Sequence, residues 1–196
     1  MFNGIIFNKG KVYKIIKRPR GVNLFLKSSI KLSKKDKGIS ISCDGVCLTL
    51  ISLKGRIIEF YLSNETLNKS NFKNIKLGYE VNLELPIKYG QRISGHICQG
   101  HVDTVAKIKN IKKIDKSLVV EFNIKKHFKS LLVEKASILI NGVSLTISKL
   151  KKNTFEIWLI PHTLKLTNLL NLKKNNFVNI EIDILSKYVK KTIYEK

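Results

Sequence analysis

Apolar and polar positions alternate most clearly around two short turns. Ser137-Ile138-Leu139-Ile140 leads into Asn141-Gly142, after which Val143, Leu145 and Ile147 alternate with Ser144, Thr146 and Ser148. A period of two beside an Asn-Gly pair predicts strand, tight turn, strand, because these residues accept the positive φ angles of a two-residue hairpin turn. The pattern occurs twice. Ile39-Ser40-Ile41-Ser42 precedes Asp44-Gly45, and Val46-Cys47-Leu48-Thr49 follows it, 97 positions upstream of the second instance. At that offset Leu62, Thr66 and Leu67 fall on Leu159, Thr163 and Leu164, and Val81-Asn82-Leu83-Glu84 falls on Val178-Asn179-Ile180-Glu181. From Asp44 to Leu85, 16 of 42 ungapped pairs are identical, which identifies a tandem duplication. Carried back unchanged, the offset lays Gly4-Ile5-Ile6 on His101-Val102-Asp103, predicting a short apolar strand at the head of each copy and a boundary near Gly95 to Gly100.

Phe155 to Ile160 adds a further β-rich run. Several short strands in fewer than about 100 residues, punctuated by turns, favour a small closed barrel over a sandwich. Helices are expected to be few, at Thr66 to Asn71 and Thr163 to Leu170. The last residues change period: Leu185, Tyr188, Val189 and Ile193 recur at helical spacing, with Lys187, Lys190, Lys191 and Glu195 on the other faces. An amphipathic helix left over after two modules either contacts another subunit or packs across its own barrels. The expected division is therefore 1–97, 98–183 and a helix over 184–196.

With 196 residues and 43% hydrophobic content, the chain can bury a substantial core. No stretch approaches the roughly 18 uncharged apolar residues of a membrane span, so no membrane partner and a cytoplasmic location are expected. The three cysteines, Cys43, Cys47 and Cys98, are read as reduced thiols. The net charge of +23 on its own suggests a polyanionic partner. The lysines are nevertheless spread along the whole chain, and aromatic residues are not interleaved with a basic patch as a base-stacking platform requires, so nucleic acid is not the expected partner.

Candidate chemistry concentrates where the copies agree in place but differ in residue. In a strand Ser144 and Thr146 share one face, as do Cys47 and Thr49. Such a face is often merely solvated, but one that keeps Thr and exchanges Cys for Ser suggests two related pockets, of which one needs a hydroxyl. Gly95-His96-Ile97-Cys98-Gln99-Gly100-His101-Val102-Asp103 gathers two histidines, a thiol and a carboxylate between glycines. Its histidine spacing is not that of a metal-binding helix and it has no Cys-x-x-Cys pair, which disfavours metal and favours a histidine exchanging protons in a polar barrel mouth. Asp183 corresponds to Pro86, so its carboxylate is not needed by the shared fold, with a plain surface charge as the alternative. Lys135 is one lysine among many and no pattern singles it out. Dinucleotide, P-loop and nucleophile-elbow motifs are missing from the sequence, which leaves a nucleotide-driven mechanism without support.

Met1-Phe2-Asn3-Gly4-Ile5-Ile6, the Asp44-to-Thr49 turn, Glu65-Thr66-Leu67, the Gly95-to-Asp103 run, the Asn141-to-Thr146 turn, Ile160-Pro161-His162-Thr163 and Asn179-to-Asp183 come in one order over nearly the whole chain. Together they resemble the riboflavin synthase alpha-chain family. The resemblance implies two tandem six-stranded antiparallel Greek-key barrels plus a C-terminal α-helix, an all-β architecture assembled as homotrimers through those helices. The first barrel of one subunit would face the second barrel of another. It implies a transferase without cofactor or metal, in which two molecules of 6,7-dimethyl-8-ribityllumazine exchange a four-carbon unit to give riboflavin and 5-amino-6-(D-ribitylamino)uracil. Lumazine synthase is a candidate partner on the same ground. The implied substrate contacts of the first barrel are Gly4, Ile5 and Ile6, then Cys47, Leu48 and Thr49, Ser63, Asn64, Glu65 and Thr66, and finally Gly100, His101 and Val102. Those of the second are Lys135, Ser144, Leu145 and Thr146, with Ile160, Pro161, His162, Thr163 and Leu164. His101 and Thr146 are the implied proton-handling groups; Ser144, Asp183 and Cys47 surround the nucleophilic addition, with Lys135 beside them. Asn3 stands where the family usually has Thr, and Asp44 where Asn is common. The rival implication is a non-catalytic antenna-type protein that binds lumazine or flavin on the same barrels, in which Ser144, Asp183, His101 and Lys135 would be expected to drift; all four are present.

Overall fold

The computed structural model describes residues 1–194, and Glu195, expected on the polar side of the terminal helix, lies outside them. The first half contains β1 (Asn8–Arg18), β2 (Gly21–Ser28), β3 (Ser40–Cys43), β4 (Val46–Lys54), β5 (Ile57–Ser63), α1 (Asn64–Lys69) and β6 (Glu80–Glu84). The second contains β7 (Thr104–Ile114), β8 (Ser117–Asn123), α2 (Lys126–Lys129), β9 (Ser137–Ile140), β10 (Val143–Leu150), β11 (Thr154–Leu159), α3 (Pro161–Leu166) and β12 (Phe177–Ile182), and α4 (Ile184–Tyr194) follows. The strands close into two antiparallel barrels of identical order, β1-β2-β5-β4-β3-β6 and β7-β8-β11-β10-β9-β12.

Each barrel has its own core. Leu24, Leu26, Ile41, Ile58, Phe60 and Leu83 fill the first, and Ile108, Phe122, Ile140, Phe155, Ile157 and Ile180 the second. The two hairpin turns take the geometry their residues allow: φ is 46° at Asp44 and 78° at Gly45, 44° at Asn141 and 77° at Gly142. These turns meet. A Cβ on Gly45 would stand 2.9 Å from the Gly142 nitrogen, and one on Gly142 2.8 Å from the Gly45 nitrogen. Reciprocal contact between equivalent residues marks a local two-fold axis relating the barrels.

Around that axis lies a buried amide network in which each half answers the other. Asn82 Nδ2 donates to Asn141 O at 2.8 Å, and Asn179 Nδ2 to Asp44 O at 2.9 Å. Asn168 N donates to Asn82 Oδ1 and Asn71 N to Asn179 Oδ1, both at 2.7 Å. Buried polar groups in so dry a contact are tolerated because nearly all of them are paired.

Two expectations change. The apolar head segments are not strands: β1 begins at Asn8 and β7 at Thr104, an offset of 96 and not 97. A one-residue length difference between the β1 and β3 positions of the two copies is invisible to an ungapped comparison. The helices start earlier than expected, at Asn64 and Pro161, because Ser63 caps the first through a 3.2 Å bond from Thr66 N, and proline at the first helical position suits the second. Each is then followed by a 3₁₀ turn, Asn71–Asn74 and Asn168–Asn171. Of the two alternatives for α4, packing of its apolar stripe on its own barrels is not what the structure shows, since Leu185, Tyr188, Val189 and Ile193 are 58–69% exposed. Among the described residues no helix is long and apolar enough to cross a membrane.

Candidate active site

The segments ahead of β1 and β7 are arms that cross the local two-fold axis. Phe2 and Cys98, equivalent at an offset of 96, exchange backbone hydrogen bonds of 2.8 and 3.0 Å in an isolated antiparallel bridge. Beyond this bridge each arm runs onto the other module. Gly4 O accepts from Ser144 N on β10, and Gly100 O accepts from Cys47 N on β4, both at 2.8 Å. Ile6 sinks into the second core, and Val102 packs against the first.

Two buried carboxylates hold the arms. Glu84 accepts from Asn3 N at 2.7 Å and Gly4 N at 3.0 Å, while Glu181 accepts from Gln99 N at 2.6 Å and His101 N at 2.8 Å. Burial pushes Glu84 up to about 6 and raises Glu181, and in each case the donated N–H groups oppose the shift.

This arrangement corrects one placement. Gly4, Ile5 and Ile6 were expected on the first barrel, yet Gly4 lies against Ser144 and Ile6 in the core of the second, while Gly100 lies against Cys47 and Val102 against the core of the first. The approach is close enough to require glycine. At Gly4 (φ 74°) a Cβ would lie 2.6 Å from Ser144 Cβ, and at Gly100 (φ 79°) 2.7 Å from Cys47 Cβ.

In the second pocket, Ser144 is half-buried on β10 and its Oγ lies 2.7 Å from His96 Nδ1. Gly95 presses on the same serine, with a Cβ position 2.9 Å from Ser144 Cβ and 2.1 Å from Asn3 O. Burial lowers the pKa of His96, and the charge of Asp183 opposes the shift. A neutral imidazole bonded to a hydroxyl can take its proton or hold it in place, which suits Ser144 to deliver a proton or an oxygen nucleophile. Asp183 closes β12 and caps α4 by accepting from Leu185 N at 3.0 Å. Thr146 stands two residues along the same face, exposed, and Lys135 lies beside β10 with φ 71° and its N–H on Ile147 O at 2.8 Å. Ile160 and His162 are exposed at the start of α3, whereas Leu164 is buried and faces the core, as do parts of the half-buried Leu145.

The first pocket is built alike with different chemistry. Cys47 occupies the Ser144 position and Thr49 the Thr146 position, and Ser63 to Thr66 form the rim, where Ser63 Oγ lies 3.1 Å from Thr66 Oγ1. The Leu48 side chain is buried in the core, so only its backbone can reach a ligand. Cys98 is not part of this wall; its thiol donates to His96 O at 3.2 Å and burial raises its pKa. Among the described residues no three of His, Cys, Asp and Glu are placed to hold a metal ion, the Gly95-to-Asp103 run included.

The residues passed over at the level of sequence are His96 and the pair Glu84 and Glu181. His96 was in the run already singled out, where His101 drew the assignment. The glutamates were visible as an identical aligned pair, but on the strand face opposite the core residues Val81, Leu83, Val178 and Ile180, where a charge reads as solvated and only the arms laid over that face reveal its burial.

Comparison with known proteins agrees with this geometry. A family model described as "Lumazine binding domain" matches twice, at residues 3–86 and 99–183, with the same change of offset that the arms show. The riboflavin synthase of Photobacterium leiognathi is 34% identical over 194 residues, covering 98% of this chain and 89% of the relative. Among solved structures, LumP complexed with riboflavin superposes with a TM-score of 0.84 at 26% identity, covering 93% of this chain and 99% of the other. LumP complexed with 6,7-dimethyl-8-(1'-D-ribityl) lumazine does so with 0.81 at 27%, covering 92% and 98%.

Proposed function

Since the chain belongs to the lumazine-binding domain family and is related along its whole length to riboflavin synthases, we propose that it is itself a riboflavin synthase. Two 6,7-dimethyl-8-ribityllumazine molecules would react, one giving up a four-carbon unit to become 5-amino-6-(D-ribitylamino)uracil and the other receiving it to become riboflavin. Two like substrates with opposite roles are served by two like pockets brought face to face, because positioning turns an encounter into an effectively unimolecular step.

The observation that carries this reading is the Ser144–His96 pair in one pocket only, with Cys47 in the corresponding place of the other. Ser144 and His96 would handle the oxygen nucleophile added to one lumazine, with Asp183 setting the charge around them. Thr146 and His101 would handle the proton leaving the methyl group of the other, and Cys47 and Lys135 would complete the walls. The exposed apolar stripe of α4 supports assembly through this helix into a trimer, in which the first barrel of one subunit faces the second barrel of its neighbour. The reading carries with it a cytoplasmic setting, no bound cofactor, and lumazine synthase as a candidate partner.

Purified protein incubated with the lumazine is expected to develop riboflavin absorbance. A stable fluorescent complex without turnover overturns the proposal in favour of an antenna-type binder. Since burial lowers His96 from its ordinary 6.5, turnover is expected to fall only as pH drops below that value and protonates the ring. His96→Gln should abolish this acid limb.

A further inference from the structure

Three polar ties hold α4 to the rest of the chain while its apolar stripe faces away. Asp183 caps its first turn through Leu185 N, Lys190 Nζ donates to Ser130 Oγ at 3.0 Å, and Lys187 Nζ lies 2.7 Å from Asp103 Oδ2. The last of these is the most sheltered. The Lys187 side chain is 25% exposed, against 31–54% for the lysines of the other described ion pairs.

Asp103 is where the second arm joins its barrel. Its N–H donates to Ile180 O at 2.9 Å and its Oδ2 accepts from Ile182 N at 2.8 Å. Between those two bonds, Glu181 accepts from Gln99 N and His101 N. Lys187 therefore meets the same carboxylate oxygen that fastens the arm to β12. Its charge also reaches Glu181: burial raises that carboxyl, and the N–H groups of Gln99 and His101, then the Lys187 ammonium, oppose the rise. The ionised carboxylate accepts on both oxygens, so Lys187 favours the form that holds both arm amides.

The first arm is built differently. At the offset of 96 its residue in the Asp103 position is Phe7, which is 74% exposed. None of the described ion pairs includes a residue of the segment 1–7. The tie to α4 thus belongs to the arm that lays Gly100 on Cys47 and carries His101.

We propose that Lys187 is a positioning residue: through Asp103 and Glu181 it couples the seat of α4 to the arm that brings His101 to the first pocket. The inference rests on the synthase reading, which gives His101 a share in the departing methyl proton. A side chain in the first turns of the terminal helix thus acts on the pocket without touching a ligand.

The test joins amide hydrogen exchange with steady-state kinetics on the full chain. In Lys187→Met the Gln99 and His101 amides are expected to exchange about tenfold faster, while Asn3 and Gly4, held by Glu84, keep their rates. Turnover should fall about tenfold with KM for the lumazine changed less than about twofold. Lys187→Arg should restore most of both, Asp103→Asn should reproduce the loss, and the double variant should be no worse than either single one. Lys190→Met, which cuts a tie of the same helix away from the arm, should leave both readouts alone. The proposal is overturned by unchanged exchange at Gln99 and His101, by both arms loosening alike, by Lys190→Met matching Lys187→Met, by additive losses, or by faster exchange with undiminished turnover. Absence of turnover in the unaltered protein would count against the synthase reading, and exchange would then decide the coupling between helix and arm by itself.

Discussion

The two barrels share strand order, turn geometry, arm-holding glutamates and the amide network, and they differ at the positions that face a ligand. Ser144 with its imidazole replaces Cys47, and Asp183 replaces Pro86. The shared set is what two modules need in order to fold and to fit each other. The divergent set is therefore where unequal roles reside. One difference falls inside the structural set: Asp44 sits in the network where its counterpart is the neutral Asn141. Another falls in the cores, where the second stacks Phe122 on Phe155 at 5.2 Å and the first has Leu26 and Ile58 at the equivalent pair.

The sharpest way to break the comparison is at the divergent pocket residues. Ser144→Ala is expected to lower turnover roughly 10²- to 10³-fold while substrate affinity changes little, and Cys47→Ala to cost far less. Equal losses in both would mean that the pockets are not specialised. Next come the touching turns. Gly45→Ala and Gly142→Ala each combine a positive φ with a backbone clash and should each destabilise by about 3 to 4 kcal/mol. Markedly unequal melting shifts would show that the contact is not two-fold in its energetics.

Asp44→Asn restores the symmetric network and is expected to stabilise. The carboxyl is raised in the folded protein to about 7 from an ordinary 3.8. Its neutral form therefore contributes stability that is complete below about pH 4 and lost as pH climbs through about 7. Thermal melts should show a gain of the order of 2 to 4 kcal/mol at pH 8 and little at pH 4; a gain independent of pH would mean that Asp44 does not titrate in this window. The smallest effect concerns the cores. Phe155→Leu should cost about 1.5 kcal/mol and Ile58→Leu under about 1, and denaturant midpoints shifted by the same amount would show that the ring stack adds nothing beyond volume.

The duplication and its hairpins were legible because Asp-Gly and Asn-Gly turns carry a local steric requirement and the flanking strands a period of two. The barrel order followed from the resemblance and from the number of short strands. The crossed arms were not legible. Gly4-Ile5-Ile6 is apolar enough to pass for a strand, and what it does is decided by a bridge to Cys98 and a carboxylate 80 residues away, neither of which leaves a periodic trace. The same holds for His96. Its place on Ser144 depends on how the linker bends past Gly95, a matter of tertiary contact to which neighbouring residue types are blind. The amide network was visible only as matching asparagines, since nothing local tells a buried Asn from a solvated one.

The exchange of arms also bears on how this molecule is joined. Either half in isolation would lack the strip of chain that finishes its own pocket and would carry one that fits elsewhere, so two copies of one half would have to trade strips as a homodimer. The linker between the modules converts that encounter into an intramolecular event at an effective concentration on the order of millimolar. Covalent fusion thereby fixes the pairing at any dilution and frees each half to drift apart in sequence, an option closed to two identical partners encoded once.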